Sequence, residues 1–146
     1  MATLICMYGL PRSGKSTISR ELSRSLAAPI VNQDNIRLAL HGQVYAKEAE
    51  PFVRAIAKVM VDSLFRSGHE YVIADETHYS RAKRDFMRDG PWQTCFYEVD
   101  TPLEVCLERA AATNQPWLLN VIPEMQARKE PLGDDELRWD ELAILA

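Results

Sequence analysis

Gly9-Leu10-Pro11-Arg12-Ser13-Gly14-Lys15-Ser16 sets a glycine, four residues and then Gly-Lys-Ser between an apolar run and a helical period. That order predicts a loop whose backbone N–H groups turn inward around the phosphates of a nucleoside triphosphate. Lys15 is expected to reach the β- and γ-phosphates, and the Ser16 hydroxyl to sit on Mg²⁺. Pro11, Arg12, Ser13 and Thr17 join Gly9 and Gly14 in the candidate ATP-binding set. The metal calls for an acid at a neighbouring strand end, and VIADETH (70s region) offers Asp75 and Glu76. Asp75 is the first choice, since one of the two can instead cap the loop by accepting backbone N–H bonds.

Moving a phosphoryl group to an alcohol needs a further group that orients and deprotonates the hydroxyl. In VNQDNIR, Asp34 lies just beyond a short strand and Arg37 three residues on, so a helix turns both toward one cleft. A carboxylate beside a guanidinium stays ionised near neutral pH and still accepts a hydrogen bond. From residue type alone, Asp34 serves equally well as a helix cap and Arg37 as a surface charge.

The elements that must position these residues alternate between strand-like and helical patterns. Strands are predicted over 3–9, 29–33, 70–76, 94–99 and 141–145. Helices are predicted over 16–27, with Ile18, Leu22 and Leu26 on one face, and over 35–40. A longer helix, 47–66, is expected to bury Phe52, Ile56, Met60 and Leu64; further helices follow Ser80, carry Leu103 to Ala110, and span 123–129. The fold class is therefore α/β, a mostly parallel five-stranded sheet with helices on both faces. One domain over 1–146 is expected, with a short lid at about 110–120.

A 47% hydrophobic and 26% charged composition fits a globular domain, and no apolar run approaches the roughly 20 residues of a membrane span. Cys6, Cys95 and Cys106 lie in apolar contexts and read as buried reduced thiols; with no export signal visible, they suit the cytoplasm. The net charge of −4 argues against sequence-blind coating of nucleic acid but leaves room for a local basic cleft.

GLPRSGKST, VNQDNIR, VIADETHYSRAKR and ERAAATNQPWLLNVIPEMQARKEP stand in the order and at the intervals of one family. Together they resemble the phage-type polynucleotide 5′-hydroxyl kinase domain over nearly the whole chain. The resemblance implies a P-loop kinase fold, ATP and Mg²⁺ as cofactors, and a nucleic acid, DNA or RNA, as substrate. It assigns Asp34 to activating the acceptor hydroxyl, Arg37 to the acceptor's phosphate, Lys15 and Ser16 to ATP and Mg²⁺, and Arg109 to charge on the nucleotide. Two departures stand out. His78 replaces an asparagine and reads as a hydrogen-bonding residue rather than a metal ligand, and Thr113 and Asn114 stand where a second lid arginine belongs. Arg128, Arg12 or nothing at all takes that arginine's place.

Arg81, Arg84 and Arg88 fall at i, i+3 and i+7, one basic face suited to a phosphate-bearing acceptor or, equally, a solvated face paired with Asp85 and Asp89. Of the tryptophans, Trp117 in the lid is the candidate for stacking a base. Acceptor readings left open are a nucleic-acid 5′-hydroxyl, a hydroxymethylpyrimidine within DNA, and a nucleoside, sugar or antibiotic; a non-catalytic nucleotide-binding module also stands, as does a homo-oligomer.

Overall fold

Four parallel strands run through the middle of a computed structural model that describes residues 2–42 and 49–145, with side chains described to Leu142. They are β1 (Thr3–Tyr8), β2 (Ile30–Asn32), β3 (Tyr71–Asp75) and β4 (Gln93–Glu98), in the order β2-β3-β1-β4. Alternation along β1 divides the interior. Leu4 and Cys6 face a layer built with Val53, Ala57, Val61 and Met87; Ile5 and Met7 face Ile18, Leu22 and Leu26. Both layers are apolar, so each strand is apolar on both sides, as parallel crossover topology requires.

The helices covering these layers are α1 (Lys15–Leu26), α2 (Gln33–His41), α3 (Glu50–Arg66), α4 (Arg81–Arg88), α5 (Leu103–Ala111), α6 (Leu118–Ala127) and α7 (Trp139–Leu145). Ser80 caps α4 as its sequence position predicts, its Oγ accepting from Lys83 N–H at 3.2 Å. Cys6, Cys95 and Cys106 are buried free thiols. No helix among the described residues is long and apolar enough to cross a membrane.

Three expectations need correction. The fifth strand, 141–145, is instead helix α7. Leu137 accepts a bond from Phe96 N–H and Arg138 makes a single bridge to Phe96, so the chain touches the sheet edge only once. Glu141 then reaches back to the Arg138 N–H at 3.1 Å, a capping-box contact that starts the helix. Trp139 and Leu142 pack on the layer beneath. In α3 the buried stripe is Val53, Ala57 and Val61, while Phe52 is 67% exposed and Met60 faces partly outward. The residues 47 and 48 given to this helix lie outside the described set. α6 begins five residues before Pro123, accepting one lost backbone bond inside the helix.

Because all four strands are parallel, their carboxyl ends share one edge. The loop after β1, the start of α2 after β2, and Glu76 to His78 after β3 therefore meet there.

Candidate active site

The loop from Gly9 to Gly14 is built to receive an anion. Gly14 has φ 101°, a left-handed conformation that glycine takes without strain, and it caps α1 with no side chain over the helix's N–H groups. A Cβ on Gly9 would stand 2.9 Å from Ser13 Oγ and 3.0 Å from the Val99 carbonyl. Ser13 Oγ is itself buried without a hydrogen-bond partner among the described residues. An open helix N-terminus, a glycine pressed against the neighbouring strand's end and an orphan hydroxyl fit the phosphates of ATP. Thr101 Oγ1 braces the loop from outside through the Ser13 carbonyl at 2.7 Å.

Lys15 lies along this loop, its Nζ donating to the Leu10 carbonyl at 2.7 Å. Burial pulls its pKa below the ordinary lysine value, against the pull of Glu76, Asp75 and Asp34. Ser16 Oγ donates to Asp75 Oδ2 at 2.9 Å, and Asn32 Nδ2 donates to the same oxygen at 3.1 Å. A hydroxyl and a carboxylate so joined are what Mg²⁺ uses alongside nucleotide phosphates. No three His, Cys, Asp or Glu side chains among the described residues converge to hold a metal unaided.

Glu76 does not join that pair. Its Oε1 accepts from Thr77 N–H at 2.9 Å and its Oε2 lies 3.4 Å from Arg37 Nη2. Burial pushes Glu76 up, but Arg37 and the Thr77 N–H more than offset it and leave the carboxyl below its usual range. Of the residues expected at the metal, Ser16 and Asp75 are joined to each other, whereas Glu76 turns to Arg37.

Asn32, not Asp34, caps α2: its Oδ1 accepts from Asn35 N–H at 3.1 Å. Asp34 sits in the helix's first turn with its side chain 56% exposed and Oδ1 bonded to Arg37 Nη1 at 2.6 Å; no described residue claims Oδ2. Partial burial, then Glu76, raise the Asp34 pKa above 3.8 against Arg37 and Lys15. Arg37 is no surface charge. Buried, it donates Nε and Nη2 to Glu50 at 2.8 and 2.6 Å and Nη1 to Asp34. Burial opposes its charge, yet Glu50 and Glu76 carry its pKa above the ordinary arginine value. Lys15, Asp34, Arg37 and Glu76 thus form one electrostatic cluster at the strand ends.

Arg109 Nη1 donates to the Arg12 carbonyl at 3.1 Å, and its guanidinium would lie 3.8 Å from a Cβ on Gly14. Arg12, at φ 65°, extends its Nη2 to Gln115 Oε1 at 3.0 Å, tying the phosphate loop to the segment between α5 and α6. Of the side chains weighed as a second lid arginine, Arg12 is the one the loop itself carries. Trp117 in this segment is 45% exposed.

The basic stripe of α4 is paired with acids. Arg84 is fully buried, with Nε on Glu136 Oε2 at 2.7 Å, Nη2 on Glu136 Oε1 at 3.1 Å, and its remaining N–H groups on the carbonyls of His78, Glu130 and Pro131. Arg81 is held by Asp85, Asp135 and Glu136, and Arg88 by Asp85 and Asp135. Burial takes Arg84 out of the expected acceptor contacts, whereas Arg81 keeps 36% of its side chain exposed; helical spacing showed the cations but not the acids brought from some fifty residues away.

A pocket that sequence patterns did not indicate lies between α2, α3 and α4. It is a narrow crevice lined by Gln33, Arg37, Glu50, Arg54, Glu76, His78 and Lys83, with Phe86 and Met87 as its apolar wall. Arg37 belongs both to this pocket and to the Asp34 pair.

The AAA domain family matches residues 4–132. The chain belongs to that family. Its α/β fold with a parallel sheet agrees with its solved neighbours. An L-seryl-tRNA(Sec) kinase from Methanococcus maripaludis is 26% identical over 147 residues, covering 94% of this chain and 56% of that protein. The chain thus spans little more than half the length of that relative. A solved sugar kinase from a Janibacter species is 26% identical with a TM-score of 0.69, covering 94% of this chain and 83% of that one. The Pnkp1/Rnl/Hen1 complex is 27% identical with a TM-score of 0.65, covering 77% of this chain and 40% of that one.

Proposed function

We propose that this protein is a P-loop kinase that transfers the γ-phosphate of ATP to a hydroxyl of a small, hydroxylated acceptor held at the strand ends beside Asp34 and Arg37. The observation that carries the reading is Asp34. Its Oδ1 is fixed by Arg37, its Oδ2 is unclaimed among the described residues, and its raised pKa makes it a better base than an ordinary aspartate. In this reading Asp34 Oδ2 accepts the acceptor's hydroxyl proton as the oxygen attacks phosphorus. Lys15 and Arg109 hold negative charge at the phosphate loop, and Arg37 sets the Asp34 carboxylate in place. Ser16 and Asp75 hold Mg²⁺, which when bound neutralises charge on the phosphates. A small acceptor is favoured because the three arginines of α4, which a nucleic acid's phosphates could otherwise meet, are paired with acids.

A second reading, transfer to the 5′-hydroxyl of a nucleic acid, is supported by likeness to the Pnkp1 complex and by the sequence resemblance. In it Arg12, Arg109 and Trp117 form the rim that meets the strand.

One assay separates them. The protein is incubated with γ-labelled ATP and Mg²⁺ against a panel of sugars, sugar acids and nucleosides, and against 5′-hydroxyl DNA, 5′-hydroxyl RNA and hydroxymethylpyrimidine DNA. Label on a small molecule, lost in Asp34→Asn, is the expected result. Label confined to a nucleic acid transfers the conclusion to the second reading. Label nowhere, with ATP still bound, leaves a nucleotide-binding module.

A further inference from the structure

Asn32 does two jobs at the point where β2 becomes α2. The strand ends on Asn32 and the helix begins on Gln33, so no loop separates them. Asn32 keeps an extended backbone, φ −114° and ψ 121°, while its Oδ1 caps the helix by accepting from Asn35 N–H at 3.1 Å. The other end of the same amide, Nδ2, donates to Asp75 Oδ2 at 3.1 Å. Strand register makes this second contact. Asn32 is the parallel partner of Asp75, which puts the two side chains beside each other at neighbouring strand ends.

Capping alone does not explain an asparagine here. Serine, threonine and aspartate cap a helix as well. Among these residues only asparagine carries its acceptor and its donor on separate atoms, and an aspartate would set a second carboxylate against Asp75. Asp75 is buried, and its Oδ2 takes both the Asn32 amide and the Ser16 hydroxyl, leaving Oδ1 without a donor among the described residues. Two donors from different elements fix how that carboxylate is turned. Ser16 belongs to the phosphate loop's helix; Asn32 comes from the side of α2, whose first turn carries Asp34.

Resting on the kinase reading above, we infer that Asn32 is a positioning residue that sets the Asp75 carboxylate for Mg²⁺ and, by capping α2 with the same amide, ties Asp34 to that setting. It acts on the metal through Asp75 and on the base through the helix start. Hydrogen-bond partners of metal-holding side chains are worth about 10–100-fold in metal affinity. Losing one of two donors on Asp75 belongs at the lower end of that range, about tenfold.

Two variants separate the arms. In Asn32→Ser the hydroxyl still accepts from the helix N–H groups, but the amide donor to Asp75 is gone. Asn32→Ala removes both. Binding of a non-hydrolysable ATP analogue is measured by calorimetry in Mg²⁺ and again in EDTA, with no acceptor present, and the unliganded proteins are melted. Mg²⁺ should tighten the wild-type protein's hold on the analogue. Asn32→Ser should lose about tenfold of that tightening, with its affinity in EDTA and its melting temperature close to wild type. Asn32→Ala should lose as much and also melt a few degrees lower. The inference is overturned if Mg²⁺ tightens binding to Asn32→Ser as much as to wild type, or tightens it in neither. A loss of affinity that is equal in Mg²⁺ and in EDTA overturns it too, since a merely structural residue would behave that way. Asn32→Ala melting level with Asn32→Ser would break the tie to Asp34. No phosphate is transferred in this measurement, so a panel that labels no acceptor while these ratios hold would sink the kinase reading alone.

Discussion

Asp34 and Arg37 show how one pair divides chemistry and architecture. The carboxylate is half-exposed with one oxygen free among the described residues, while the guanidinium is buried under three carboxylates. Asp34→Asn is therefore expected to lower turnover by on the order of 10²–10⁴ while ATP binding is kept. The sign of its stability effect follows from linkage. A carboxyl whose folded pKa is raised favours the fold below its unfolded value, and that contribution is lost as pH rises through the folded value. At neutral pH the asparagine variant should melt no lower than wild type, and the acid limb of the rate profile should lie above 3.8. A melting temperature that drops along with turnover would mean that Asp34 is structural. Arg37→Ala should do the reverse and destabilise by ~3–5 kcal/mol, because it strands Glu50 and Glu76 without their cation; equilibrium unfolding in urea measures it. Asn32-Gln33-Asp34 contains two residues able to cap, and only the hydrogen bond from Asn35 N–H separates them. Sequence could not choose there, whereas the glycine spacing around Lys15 left it little to choose.

At the scale of elements, what periodicity could decide was decided: the four parallel strands and the helix that opens at Lys15 follow from apolar runs and loop spacing. What it could not decide is which of two apolar stripes of α3 meets the sheet, since Phe52-Ile56-Met60 and Val53-Ala57-Val61 differ only by one residue's rotation. Nor could it see that α4 is latched by Glu136, a contact across 52 residues of sequence. That latch carries the third expectation. Burial pushes Glu136 up, yet Arg84 and the Gly133 N–H bring its pKa below 4.5. Its stabilisation is thus present above 4.5 and lost as pH falls through the lowered value. Glu136→Gln leaves the Arg84 charge buried, so it should cost ~3–5 kcal/mol at neutral pH. In thermal melts the gap between variant and wild type should narrow toward pH 3; a constant gap would show that the pair contributes nothing electrostatic.

For the whole molecule the question is where positive charge remains to meet an acceptor. The chain has net charge −4, and three arginines that sequence places on one face of α4 are bound to Asp85, Asp135 and Glu136. A strand held by phosphate contacts would release counterions, so its binding would weaken with a log–log slope of roughly 0.7 per neutralised phosphate. A small acceptor held at one point beside Asp34 releases few. Acceptor KM measured between low and physiological salt at saturating ATP should therefore change by a factor of a few at most. If KM instead climbs by orders of magnitude over that range, several phosphates are being gripped along a surface. The rim of Arg12, Arg109 and Trp117 would then be the place to look, since substituting Arg12 should lower the slope by about one contact's worth whereas substituting Lys83 should leave it unchanged.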